Sequence, residues 1–263
     1  AMAIFVNSWP FGIALALVVL PFVGTEFGVS AAFLLATALV AVGLVSLAVL
    51  YQAAPAGVSA PATNAWPTGT ALLAVLVAGL IWGLYNASIG MIFGFGTTML
   101  VERGWPLAAA SSTTSIVLWL AVVSVPLGGI LADRSGRPDA VLIGGCLAFC
   151  ASLLFAARTS AVLPAFVALG LVSGISAGAI MSLPARVLTA DTRAVGMGIF
   201  YTLFYLLVVL APWVAGLIAN AAGTSSVTFD MGAALLVLCC ALAWVFQRLP
   251  AKIARGADAM PAR

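Results

Sequence analysis

The sequence predicts an all-α polytopic membrane protein with about eight transmembrane helices. Three observations lead there. Of the 263 residues, 64% are hydrophobic and 6% charged, whereas an ordinary soluble domain carries roughly 25% charged residues. The apolar residues fall into runs close to the roughly 20 residues of helix that cross a hydrocarbon core. The basic residues gather in alternate connections between those runs, as they do in cytoplasmic loops. Ten Lys and Arg with seven Asp and Glu cannot clothe a chain of this length in a water-facing surface. Intrinsic disorder needs high charge and low hydrophobicity, the opposite of this composition.

The runs follow in order. The first covers 4–23 and the second 30–51; a loop rich in Pro, Ala and Thr occupies 53–67. Six more cover 70–97, 108–131, 140–157, 163–182, 196–220 and 231–246. Each is bounded by polar, Gly or Pro clusters, the usual punctuation of helices. Alternate loops place Arg134, Arg137, Arg186, Arg193, Arg248, Lys252, Arg255 and Arg263 on one side, and Arg103 and Arg158 on the other. The positive-inside rule makes the first side, and with it the C-terminus, cytoplasmic. Glu26 and Glu102 then fall outside.

What the sequence lacks narrows its chemistry. It has no histidine, so it holds no Ser/His or Cys/His nucleophilic pair, imidazole zinc site or histidine proton relay. The net charge of +3 is too small and dispersed for a nucleic-acid partner. Cys146, Cys150, Cys239 and Cys240 lie inside apolar runs, where thiols behave as small apolar side chains. Cys146 and Cys150, four apart, could also share a helix face as a metal pair. No cofactor and no metal are expected, and an intramembrane enzyme is disfavoured.

The two ends of the chain resemble each other. At an offset of 195 residues, Met2, Ile4 and Phe5 fall on Met197, Ile199 and Phe200, and Ala48, Tyr51 and Gln52 on Ala243, Phe246 and Gln247. The first helix pair therefore corresponds to the last. Four helices precede the last pair and none precedes the first, so a chain truncated at its start is expected. A genuine eight-helix protein starting at Met2 is the alternative.

The most informative stretch is Gly128-Gly129-Ile130-Leu131-Ala132-Asp133-Arg134-Ser135-Gly136-Arg137-Pro138. It resembles the loop signature of the major facilitator superfamily, G-x-L-a-D-r-x-G-r-[RK]. Gly129, Leu131, Ala132, Asp133, Arg134, Gly136 and Arg137 match; Pro138 stands in place of the last basic residue. The stretch joins the second and third of six helices, which resembles the second-half copy of the signature. The resemblance then covers the whole chain as helices five to twelve of a twelve-helix transporter. Residues 1–52 would be the last two helices of the N-terminal half-bundle and 53–67 the cytoplasmic inter-half loop. Residues 68–248 would be the C-terminal six-helix half-bundle, and 249–263 a cytoplasmic tail. Asn7-Ser8-Trp9-Pro10-Phe11-Gly12 is also similar to fifth helices of bacterial members, cyanate-permease-like ones included.

The family implies a monomeric secondary transporter in the cell membrane, the inner membrane of a bacterium. Its partners are the bilayer and a small polar solute, with an organic or inorganic anion as one option, moved by rocker-switch alternating access around a midplane site. A membrane sensor or assembly subunit that does not transport, and an inactive piece of a transporter, are the rival readings.

Within the signature, Gly129 and Gly136 let helices and their turn approach closely. Asp133 has Arg134 or Arg137 as a partner, or the positive end of a neighbouring helix, which the resemblance suggests is the one starting near Gly196. Such a contact, made in one state and broken in the other, would be a latch. A plain turn anchored by basic residues is the simpler account. Gly170, Gly174 and Gly178, and Gly79, Gly83, Gly90 and Gly94, repeat small residues at four- and seven-residue spacing, suited to close helix packing or to sliding.

Polar residues at membrane depth usually face a cavity or a partner. By resemblance, Trp82, Tyr85 and Asn86 lie on a cavity-lining seventh helix, Ser173 and Ser176 on the tenth, and Tyr201 and Tyr205 on one face of the eleventh. Asn7 is a further pathway candidate. Interhelical hydrogen bonds and interfacial anchoring would explain the same residues. The polar cluster 111–115 could cap a helix or meet solute at the outer mouth, and Arg186 could attract an anion or obey the positive-inside rule. No Asp or Glu lies in the middle of an apolar run.

Overall fold

Backbone hydrogen bonding with no water available leaves helices as the simplest spanning elements, and the chain is helical throughout what is described. The computed structural model describes residues 2–51 and 65–258, with side chains for 11–51 and 65–249. The helices are α1 (Met2–Phe27), α2 (Val29–Leu50), α3 (Gly69–Glu102), α4 (Leu107–Ser135), α5 (Pro138–Arg158), α6 (Val162–Ser173), α7 (Ala177–Met181), α8 (Arg193–Ala222) and α9 (Val227–Asp258). A 3-10 turn covers Pro184–Arg186. Among the described residues, seven segments are long and apolar enough to cross a membrane, and Phe11–Phe27 of α1 is a shorter apolar helix. Most of residues 53–67, expected to be the inter-half loop, and the side chains of Lys252, Arg255 and Arg263, lie outside the described residues.

Buried side chains cover nearly every position of α3 from Ala74 to Ile92. A helix apolar all round belongs in the middle of a bundle, and α3 packs on α4, α8 and α9. The α1–α2 hairpin attaches through α1 to α4. Ser111 donates to the Leu17 carbonyl at 2.6 Å, and Phe11 meets Trp119 edge-to-face with centroids 5.3 Å apart. Helix α2 buries no residue. The offset that aligns the chain's two ends also puts Gly28 on Gly223. Both connect helices at positive φ, 88° and 70°, where glycine has no steric penalty.

Two expectations need correcting. The run 163–182 is not one helix: it breaks after Ser173 and resumes at Ala177. In an unbroken helix the Gly174 N–H would bond to the Gly170 carbonyl. Here the Ser124 hydroxyl of α4 stands between them, accepting from Gly174 N–H at 3.1 Å and donating to Gly170 O at 2.9 Å. A side chain inserted into the hydrogen-bond ladder is a recognised cause of a kink. Second, the signature is not a loop. Helix α4 runs through Asp133 and Arg134 to Ser135, and Gly136 closes it at φ 61°.

The glycine spacing finds its partners. A Cβ on Gly170 would press on Val117 and Leu120, one on Gly174 on Ser124 and Val125, and one on Gly178 on Gly129 at 3.2 Å. Gly79 and Gly83 lie against Phe200, Leu203 and Leu207 of α8, whereas a Cβ on Gly90 would meet only Phe93 at 3.9 Å and one on Gly94 nothing within 4 Å. Small residues are thus concentrated where backbones meet. Within the signature the tight position is Gly128, whose Cβ would collide with the Ile175 backbone; around a Cβ on Gly129 there is nothing within 4 Å.

The bundle's ends are tied by charge. At one end Glu102 accepts from Ser225 N–H at 2.8 Å and Ser225 Oγ at 2.6 Å, just before α9. Arg103 turns the other way and donates to the carbonyls of Ala156, Ala157 and Thr159 at the end of α5. Arg158 pairs with Asp230 at 2.7 Å. At the opposite end Arg186 pairs with Asp139 at 2.6 Å.

The contrast between adjacent glycines is testable. Gly128→Ala should destabilise the bundle by about 1–3 kcal/mol, the usual cost of overpacking, and lower the thermal midpoint in detergent. Gly129→Ala should leave that midpoint unchanged.

Candidate functional site

The break between α6 and α7 faces α3, and a cavity of about 120 Å³ lies there. Helix α3 contributes Trp82, Tyr85, Asn86 and Ile89; α4 contributes Leu118, Ala121 and Val125. Ser173, Gly174 and Ala177 line it at the break, and Tyr201 and Phe204 from α8. The position follows from the packing: glycines 79 and 83 draw α8 onto α3, and Ser124 bends α6 away from an unbroken path.

Trp82, Tyr85, Asn86, Ser173 and Tyr201, expected to line a pathway, do line this cavity. Trp82 stacks with Tyr85 and with Phe204, at centroid distances of 5.8 and 5.9 Å. The Tyr85 hydroxyl donates to the Ser173 carbonyl, so it fastens α3 to α6. Asn86 donates to the Trp82 carbonyl one turn back at 2.8 Å. Its side-chain oxygen has no donor among the described residues. The Ser173 hydroxyl turns back to Gly170 O at 3.3 Å.

Ser176 and Tyr205 do not line the cavity. The Ser176 hydroxyl donates to Leu142 O at 2.9 Å and holds the break against α5. Tyr205 shares a helix face with Tyr201, but it is 62% exposed and packs edge-on against Phe204 with centroids 4.7 Å apart. Helix α1 includes Asn7, whose side chain lies outside the described residues. Phe204 was missed, although its spacing from Tyr201 puts both on one face. Ser124 was missed too: a lone serine in an apolar run gives no sign that it meets a glycine on another helix.

The signature's charges sit apart from the cavity. Asp133, Arg134, Gly136 and Arg137 are exposed. Among the described residues the ion pairs are Arg158–Asp230 and Arg186–Asp139, so Asp133 pairs with neither arginine in this conformation. Helix α8 packs chiefly on α3, α9 and the 3-10 turn. Arg186 is neutralised by Asp139 and does not present a free charge to an anion. Three of the five residues of the polar cluster 111–115 are spent on packing: beyond the Ser111 anchor, Thr114 and Ser115 bond to carbonyls of their own helix, while Ser112 stays exposed.

The four cysteines are free and lie on α5 and α9, with Cys146 and Cys239 fully buried. The Cys239 thiol points at Ile81 O at 3.5 Å and that of Cys240 at Ile143 O at 3.9 Å. These are weak donors filling helix contacts.

Residues 71–261 match the family model of the Major Facilitator Superfamily. The chain belongs to this superfamily. Its members are transporters rather than enzymes, and this chain is a multi-pass membrane protein of the secondary-transporter type. A search of curated proteins finds no match. Family membership names no solute, so the cavity's own chemistry must speak for one. No Lys, Arg, Asp or Glu lines it, and an ion buried without a counter-charge costs several kcal/mol of hydration. The expectation of an anion gains no support from this lining.

Asn86→Ala should raise the half-saturation concentration for the transported solute several-fold in proteoliposome uptake, because it removes the free amide oxygen at the cavity wall. Tyr205→Ala should leave that curve unchanged.

Proposed function

We propose that this transporter carries a small solute through the α3–α4–α6–α8 cavity by rocker-switch alternating access, with the Asp133–Arg137 segment as its cytoplasmic latch. The observation behind the proposal is the cavity itself. It lies against the middle of α3 and at a helix break, the arrangement in which superfamily transporters build a midplane site. Small-residue seams on either side of it give surfaces that can rock without dragging bulky side chains past one another. The charged ends add support. Arg134, Arg137, Arg186 and Arg193 lie at one end of the bundle and Arg103 and Arg158 at the other, which favours a cytoplasmic C-terminus.

The latch reading draws on the exposure of Asp133. A carboxylate at a helix end with no ion-pair partner among the described residues in one conformation is available to pair in another. Charge at such a position is worth about 0.3–1 kcal/mol against a helix terminus, enough to bias a two-state cycle without locking it.

Flux decides the proposal. The chain in proteoliposomes should accumulate at least one of a panel of radiolabelled neutral and anionic solutes, with saturation. A solute that binds measurably but never crosses would instead favour a sensor. Asp133→Asn should slow turnover several-fold at normal expression and thermal midpoint; unchanged turnover would remove the latch.

A further inference from the structure

We infer that the outward side of α9 carries a binding site for an anionic phospholipid, whose phosphate is held by the Arg248 guanidinium stacked on Trp244.

Helix α9 turns Ala243, Phe246 and Leu249 into the bundle, where all three are buried. Its other side carries Val237 and Trp244, 53% and 52% exposed, and Arg248, also exposed. Spacings of seven and four residues put these three on one stripe of the helix. In a membrane protein that stripe meets lipid.

The apolar span of α9 ends at Leu249. Arg248 therefore stands at the edge of the span, and Trp244 lies one turn inside it. A long cation at such a place ordinarily reaches outward to water. Arg248 folds the other way: its Cζ lies 3.3 Å from the centroid of the Trp244 ring. Cation–π attraction favours that contact. It covers the flat face of the guanidinium and leaves the N–H groups around its edge open. Among the described residues Arg248 has no ion-pair partner. A cation drawn back toward the hydrocarbon with its donors open calls for an anion at the depth of the lipid phosphates. A phosphodiester fits it, because two oxygens can accept a parallel pair of N–H groups.

Charge selects the headgroup. No Asp or Glu occurs between Asp230 and Asp258. Helix α9 continues to Asp258, and its register puts positions 252 and 255, a lysine and an arginine in the sequence, on the same face as Arg248. Basic residues clustered beside a span attract anionic lipid. A zwitterionic headgroup brings its own cation into that field and is disfavoured.

Dioleoylphosphatidylglycerol and dioleoylphosphatidylcholine test this, since they share acyl chains and differ in headgroup charge. Binding of the first lipid to the purified chain is measured by native mass spectrometry from detergent micelles. The phosphatidylglycerol should bind tighter by about fivefold or more, the scale of one added basic residue at a membrane surface. Arg248→Gln should weaken it by about tenfold, the scale of a hydrogen bond to a charged group. Trp244→Leu keeps every charge and should still weaken it by about two- to fivefold, the scale of an exposed cation–π contact. Both variants should leave phosphatidylcholine binding unchanged. Arg193→Gln, which removes an exposed charge at the same end of the bundle, should leave phosphatidylglycerol binding unchanged. Equal binding of the two lipids overturns the inference. So does an Arg193→Gln loss equal to that of Arg248→Gln, which would show diffuse attraction in place of a site. Displacement of the lipid by millimolar inorganic phosphate would make the site one for the free anion and overturn the lipid assignment. If Arg248→Gln fails to fold, Trp244→Leu carries the test, and unchanged phosphatidylglycerol binding in it overturns the inference.

Discussion

The hydroxyl of Ser124 stands where a backbone hydrogen bond should be, and the cavity's geometry follows from that. A helix 163–182 running unbroken would bond Gly174 N–H to Gly170 O. With the hydroxyl between them both backbone groups stay satisfied, so the break costs little in hydrogen bonding. It is possible only because residues 170 and 174 have no side chain: a Cβ at either would collide with α4. The break turns Ser173, Gly174 and Ala177 toward α3, and Ser176 then fixes the turned segment to α5. A serine on one helix and two glycines on another therefore act as one unit, and a larger residue at any of the three would disturb the cavity wall.

Helix α3 supplies the other half of the wall by a similar economy. Its face toward α8 carries Gly79 and Gly83, which bring the α8 aromatics close enough for Phe204 to stack with Trp82. Its face toward α9 is held by Ser88, which donates to Gly232 O at 3.0 Å, and by the Cys239 thiol. Between lipid-soluble helices there is no hydrophobic drive to associate, so close backbone contact and buried hydrogen bonds do that work. Tyr85 belongs to this scaffold as much as to the cavity. Its ring lines the space while its hydroxyl binds α3 to α6.

Legibility in the sequence followed the range of the physics. Helix existence rests on local hydropathy, and all eight runs became helical. Their ends ran further than expected, to Glu102 and Ser135, because a helix continues past the hydrocarbon until a glycine such as Gly136 or a turn stops it. The glycine seams were legible as spacing, yet which glycine bore the contact was not: Gly128 and Gly129 are indistinguishable until Ile175 is placed. Trp82, Tyr85, Asn86, Ser173 and Tyr201 were legible as polar or aromatic residues at membrane depth. Tyr205 and Ser176 satisfied the same criterion and went elsewhere, to an exposed face and to α5, because depth says nothing about azimuth. Asp133 shows the limit most clearly. Its motif was readable, but no spacing says what its carboxylate meets, and in the structure it is exposed with no ion-pair partner among the described residues.

Charge in this bundle is confined to its ends, and that distribution bears on how the half could move in the proposed cycle. Glu102, Arg103, Arg158 and Asp230 tie α3, α5 and α9 together at one end, and Arg186 with Asp139 ties α5 to the segment after α7 at the other. These contacts join helices within the unit that contains the cavity. Breaking them would expose helix ends without moving the cavity relative to anything else. The middle contains no ion pair among the described residues, and its contacts are dispersion and hydrogen bonds from neutral hydroxyls to backbone groups. A cycle that kept these ties intact would therefore move the unit as a body, and would place its switchable charge where Asp133 sits, exposed and without an ion-pair partner among the described residues. The neutral cavity would then set which solute is held, and the charged rim when it is released.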